Sequence, residues 1–217
     1  VSETLGLLYA DHFPYRQFET GRNIKKSPIH SQLSKYGACF GELSGWERPN
    51  WFLSQSEIDE GLKPEYKYSW KRQNWFPNFA EEHNAIRNSV GLFDLSSFGK
   101  IRLLGKDSEN VLQKICGNNI SVPKGKIVYT QFLNDQGGIE ADVTITKISE
   151  EEFIIVTPAA TIQRDLNWIK KHTPDDARCI SVDMTASEAV ISIMGPKSRE
   201  FLQPLISNPL DNDHFPF

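Results

Sequence analysis

The sequence predicts an α+β fold of mixed, largely antiparallel sheets with packed helices, and three observations predict it. Residues Lys126 to Lys147 alternate apolar and polar side chains on both sides of Asp135-Gln136-Gly137-Gly138, the pattern of a hairpin whose glycines supply positive φ angles. Short apolar runs such as Phe153-Ile154-Ile155-Val156 are interleaved with helical stripes such as Ile162, Leu166 and Ile169. The order of these segments follows hairpins rather than repeated strand–helix–strand units, and neither G-x-G-x-x-G after a strand nor G-x-x-x-x-G-K-[ST] occurs.

With 217 residues, 39 % hydrophobic and 24 % charged, the chain is long enough for a real core and for one large domain or two smaller ones. A net charge of −4 lacks the basic footprint that nucleic acid selects, so no nucleic-acid partner is expected. The apolar runs fall far short of the roughly 20 residues that cross a bilayer, so no membrane span is expected. Cys39, Cys116 and Cys179 are widely spaced, as are the five histidines, which predicts reduced, buried thiols and no metal site. The sequence starts at Val1 and closes on Phe215-Pro216-Phe217, and is expected to be a piece of a longer polypeptide.

Residues 1 to about 30 have weak periodicity and read as a connection. A short helix is predicted over Ile29–Phe40, with Ser27 as N-cap, Pro28 at its first position and a stop at Gly37. Four of the five tryptophans lie between positions 46 and 75 in a stretch rich in Pro, Gly and charge. Such density in irregular chain suggests aromatic staples that pack the segment down, with a stacking ligand site as the lesser alternative.

From Phe79, the spacing of Phe79, Ile86 and Val90 predicts a helix that Gly91 ends. Two short strands follow, Leu92 to Leu95 and Lys100 to Gly105, around the turn Ser96-Ser97-Phe98-Gly99. Asp107 is the expected cap of a helix carrying Val111, Leu112, Ile115 and Cys116. After the hairpin come the Phe153 to Val156 strand and a helix with Thr157 as N-cap, Pro158 at its first position and Lys170-Lys171-His172 at its cationic end. Cys179 to Val182 and Ala189 to Met194 read as strands, and Gly195-Pro196 opens a last helix that Pro204 stops.

Within the hairpin, Ile139, Ala141, Val143 and Ile145 share one face while Glu140, Asp142, Thr144 and Thr146 share the other. Alternation alone describes a solvated polar face as well as a binding face.

Several motifs in order carry a resemblance. Phe93-Asp94-Leu95-Ser96-Ser97-Phe98-Gly99-Lys100, then Tyr129-Thr130 with Leu133 to Asp142, then Met194-Gly195-Pro196-Lys197-Ser198, resemble the tetrahydrofolate-binding fold of the glycine-cleavage aminomethyltransferase, or T-protein. Phe13 to Thr20, Ser27-Pro28 and Gly45-Trp46-Glu47-Arg48-Pro49-Asn50-Trp51-Phe52 are similar to the FAD-dependent dimethylglycine and sarcosine dehydrogenases. Ala141-Asp142 stands where T-protein usually has paired aspartates, and Ser97-Phe98 where it has a His-Met pair.

The resemblance implies an oxidoreductase in which an absent FAD domain oxidises an N-methyl amine and the folate domain captures the one-carbon unit as methylene-tetrahydrofolate. It implies a connector over 1–76 and the N-terminal half of the folate domain over 77–217. It implies Asp142 as the acidic residue beside the reacting folate nitrogens, Tyr129 as a pocket-wall aromatic, and Leu95 and Phe98 as the pterin-side wall. A carboxylate with an ordinary pKa of about 3.9 is a weak base at neutral pH, so charge positioning is expected of Asp142 before proton abstraction. The implied partners are the amine, folate and an electron acceptor for the flavin domain. The implied compartment is the mitochondrial matrix in a eukaryote or the cytoplasm in a bacterium. A non-catalytic regulator is the competing reading, because the regulatory subunit of pyruvate dehydrogenase phosphatase resembles the same architecture.

Overall fold

The structure, a computed structural model, describes residues 2–216. In chain order, α1 (Ser2–Tyr9), α2 (His30–Lys35), β1 (Ala38–Leu43), β2 (Trp46–Phe52), α3 (Gln55–Asp59), α4 (Phe76–Asn88) and β3 (Gly91–Asp94) come first. They are followed by β4 (Gly99–Leu104), α5 (Ser108–Ile115), β5 (Ile127–Leu133), β6 (Ile139–Ser149), β7 (Glu152–Thr157) and α6 (Ile162–His172). The chain continues through β8 (Ile180–Asp183), β9 (Ile191–Met194) and α7 (Ser198–Leu202), closing with a 3₁₀ turn at Gln203–Leu205. The architecture is α+β, with three antiparallel sheets among the described residues. Two compact units form, one from Val1–Leu95 with Ile191–Phe217 and the other from Ser96–Val190.

In the first unit β1 and β2 form a hairpin whose turn residues, Ser44 and Gly45, have φ of 53° and 84°. Positive φ at both central positions matches the twist of paired strands. Trp46–Phe52 is therefore strand rather than irregular chain, and Pro49 sits opposite Phe40, just past a register shift, a place where a missing N–H does not break a regular ladder. Cys39, Trp51 and Leu53 are the buried centre, with Ile58, Tyr66 and Trp75 packed on it. The predicted helix over Ile29–Phe40 is shorter than its pattern suggests. It ends at Lys35 without a Ser27 cap, Gly37 takes φ +77°, and the chain from Ala38 onward is strand.

Glu47, 4 % exposed, anchors the preceding loop to β2. Arg22 donates from Nε to its Oε1 at 2.9 Å and from Nη2 to its Oε2 at 2.6 Å, and the Asn23 backbone N–H adds a third bond. The bidentate fork holds the Glu47 carboxyl below the usual carboxylate range and pushes Arg22 up. β3 pairs with β9, far away in sequence, and Gly195 permits the connection after β9 because a Cβ there would lie 2.3 Å from the Ser89 carbonyl oxygen.

The second unit is a five-stranded sheet in the order β5-β6-β7-β4-β8. One face carries Ile101, Leu103, Phe132, Val143, Ile145, Phe153 and Ile155, which pack with Leu112 and Ile115 of α5 and Leu166 and Ile169 of α6. Full burial of each such side chain contributes about 1.5–3 kcal/mol. The predicted stripes of both helices are the faces buried, but neither predicted cap forms. Asp107 makes no cap bond and instead accepts the Arg178 backbone N–H at 2.8 Å. Thr157 belongs to β7, opposite Gly99, and its hydroxyl donates to the buried Asp165 carboxylate one turn into α6.

Candidate functional site

The β5–β6 hairpin builds the site by simple alternation. Val128, Thr130 and Phe132 of β5 and Ala141, Val143 and Ile145 of β6 point into the core, so Tyr129, Gln131, Asp142 and Thr144 stand on the opposite face. Ile139 departs from the expected alternation. It is exposed, next to the turn, where the register slips between Phe132 and Leu133.

The turn also explains why Asp142, rather than Glu140, is presented. Asn134 accepts the Gly138 backbone N–H on its side-chain oxygen at 2.8 Å, and its Nδ2 donates to Glu140 Oε1 at 2.8 Å. Glu140 is thereby engaged by the turn.

Asp142 lies directly opposite Gln131, whose Nε2 donates to Asp142 Oδ1 at 3.2 Å. Tyr129, opposite Thr144, is the diagonal neighbour of Asp142, and the residue is 60 % exposed. The Tyr129 phenol is pushed above its ordinary value, first by its hydrogen bond to the Asp142 carboxylate, then by burial and by the like charge that a phenolate would meet. Thr144 pairs in turn with Val156, and Val156 with Lys100, so one row crosses the sheet from Tyr129 to Lys100. Lys100 is buried and its Nζ donates to the Ser96 carbonyl at 2.7 Å.

The structure thus places Tyr129 and Asp142 side by side on one open face. Phe98, half-buried, sits in the bend just before β4 of the same unit. Leu95 ends the first of the two stretches that make up the first unit, where it helps line a cavity of about 400 Å³ with Phe52, Phe79, Ile86 and Phe93. Glu82 also lines that cavity, accepts the Phe52 backbone N–H at 2.8 Å and is pushed up by burial. Sequence reasoning passed over Gln131, although its position two residues beyond Tyr129 already put it on the Asp142 face. Thr144 was placed on that face, but its contact row required the register.

Chemically, the Asp142 cluster offers a carboxylate acceptor, an amide, a hydroxyl and an accessible aromatic ring. That set suits the N–H edge and π-face of a polar heterocycle. The nearby Cys116 thiol belongs to the core side and is pushed up to about 12 by burial, which leaves it inert as a nucleophile. Among the described residues no group of three or more His, Cys, Asp or Glu is placed to hold a metal ion, and no helix is long and apolar enough to cross a membrane.

Residues 29–217 match the family described as the GCVT N-terminal domain. This chain belongs to that family. It is 46 % identical over 202 residues to the 4-methylaminobutanoate oxidase (formaldehyde-forming) of Paenarthrobacter nicotinovorans, covering 93 % of this chain and 24 % of the relative. The mitochondrial pyruvate dehydrogenase phosphatase regulatory subunit of Mus musculus is 30 % identical over 221 residues, covering 100 % of this chain and 25 % of that protein. The mitochondrial sarcosine dehydrogenase of Mus musculus is 29 % identical over 242 residues, covering 96 % and 26 %. The chain therefore spans about a quarter of the length of these curated relatives. The crystal structure of glycine cleavage system aminomethyltransferase T from Bartonella henselae superposes with a TM-score of 0.66 at 22 % identity, covering 83 % of this chain and 43 % of that one. GCVT-family membership and the T-protein-like α+β fold agree with the resemblance carried by the Phe93–Lys100 and Leu133–Asp142 motifs.

Proposed function

We propose that this chain provides the folate-binding face of a longer flavin-dependent oxidoreductase that acts on an N-methyl amine of the dimethylglycine or sarcosine type. The observation that carries the reading is the Asp142–Gln131–Tyr129 cluster, displayed on the open sheet face of a GCVT-family chain. In this reading residues 1–76 connect to an FAD-binding domain elsewhere in the polypeptide, and 77–217 form the first part of the folate domain. Its other partners are the amine and an electron acceptor for the flavin, in the mitochondrial matrix of a eukaryote or the cytoplasm of a bacterium.

The residues present fit a reduced folate. Asp142 accepts a ring N–H, Gln131 braces the carboxylate, and Tyr129 offers its face to the ring system, with Phe98 of the same unit as an apolar wall. Bound tetrahydrofolate would supply the nitrogen nucleophiles that take up the one-carbon unit. Asp142 orients those nitrogens and favours positive charge developing on them, a role that needs its negative charge rather than its basicity.

The test is Asp142→Asn in the full-length protein. Amine oxidation is expected to continue at close to the wild-type rate while methylene-tetrahydrofolate yield drops and formaldehyde is released in its place. An unchanged methylene-tetrahydrofolate yield would sink the proposal. The regulatory reading is favoured by one observation, the identity to the phosphatase regulatory subunit across the whole chain. A full-length protein that oxidises no N-methyl amine would decide for it.

A further inference from the structure

The Trp-rich stretch is not used by the folate reading, and the structure gives it a shape. Residues drawn from the segments 14–17, 50–51 and 66–79 of the first unit line an open cleft of about 680 Å³, within the size range of small-molecule sites. Its walls are aromatic. Trp70 is 73 % exposed, and Trp51, Tyr66 and Trp75 form the floor, with Tyr66 edge-on to both tryptophans at 6.4 and 5.0 Å.

Aromatic area buried in a core needs no rim of charge. Here the lining residues include Lys71 and Arg72 and no Asp or Glu. Arg72 is held over the Phe76 ring, its Cζ 4.2 Å from the ring centroid, which orients the guanidinium without a carboxylate partner in that contact. Neutral hydrogen-bonding groups complete the lining: Asn50 donates from Nδ2 to the Tyr66 hydroxyl at 2.7 Å, and Gln17 and Gln73 stand nearby. Stacking surfaces beside cations select a flat π-system with negative charge on its edge.

We infer that this cleft binds a planar aromatic ligand bearing an anionic group, stacked on Trp70 with its anion toward Lys71 and Arg72. The inference is independent of the Asp142 site and stands whether or not that site takes folate.

The experiment titrates the full-length protein with 2-naphthoate and, separately, with its neutral near-isostere 2-naphthamide, by calorimetry. Binding of the carboxylate about tenfold or more tighter than the amide is expected, as is a loss of about tenfold in Trp70→Ala and in Arg72→Gln. Both side chains are exposed, and matching thermal melts would show that each variant remains folded. Trp70→Phe should recover part of the affinity, because it restores a ring. Equal affinity for acid and amide, no carboxylate binding up to about 1 mM, or wild-type affinity in folded Trp70→Ala would each overturn the inference.

Discussion

Asp142 acts on its neighbours through charge, and Tyr129 reports it. A phenol hydrogen-bonded to a carboxylate two positions off register resists ionisation, since ionising gives up that bond and then sets a like charge across the strand gap. Asp142→Asn removes the charge and nearly preserves the shape. The ultraviolet difference titration of Tyr129 should therefore shift down toward the ordinary tyrosine value of about 10. An unshifted titration would mean that the carboxylate does not face the ring. Gln131 contributes through geometry, so Gln131→Ala should weaken folate binding by about 1 kcal/mol, the worth of one hydrogen bond, as measured by calorimetry on the full-length protein. The site was legible in part. Alternation placed Asp142 and Thr144 on the polar face, and the motif resemblance singled out Tyr129. Gln131 and the row to Lys100 follow from strand register, which a single strand's pattern does not contain.

Elements formed where local signals agreed with the sheet they entered. The β5–β6 hairpin was readable because its Gly137-Gly138 turn and the alternation on both flanks all pointed the same way. Gly137 adopts φ +77°, and Asn134 ties the loop through its backbone, its side-chain oxygen and its amide. Gly137→Ala should cost about 1–2 kcal/mol through left-handed strain, and Asn134→Ala a similar amount through lost turn bonds, both measured by urea denaturation. Near-wild-type stability in both would show that the strands fix the hairpin without its turn. The β1–β2 hairpin was missed although Ser44-Gly45 is a two-residue turn, because Pro49 and the charges of β2 masked the strand pattern. α1 was missed for the opposite reason: it buries no side chain, so no apolar stripe marks it. The helices after Asp107 and Thr157 were correctly placed by their stripes, but their caps were misread. Asp107 is claimed by Arg178 and Thr157 by the sheet, both decided by chain distant from the helix start.

Across the whole molecule, the response of stability to acid is set by carboxylates shifted in opposite directions. Glu47 and Glu109 are held below the ordinary glutamate value of 4.5, first by hydrogen bonds from Arg22 and Lys147. A lowered carboxyl contributes stability that is complete above its unfolded value and is lost as pH falls through its folded one. Glu82 is raised by burial, so its contribution is complete below 4.5 and is lost as pH rises through its higher folded value. Glu47→Gln should therefore destabilise by about 2–3 kcal/mol near pH 7, where it costs a charged, bidentate and largely buried pair. That deficit should shrink steadily as the pH drops below about 4.5. Glu82→Gln keeps the carbonyl that accepts the Phe52 N–H but cannot ionise, so it should stabilise at neutral pH and have little effect in acid. Urea melts of both variants at several pH values separate the two cases by sign. A Glu47→Gln deficit that stays constant into acid would mean that the Arg22 fork works through shape alone, with no charge linkage to folding.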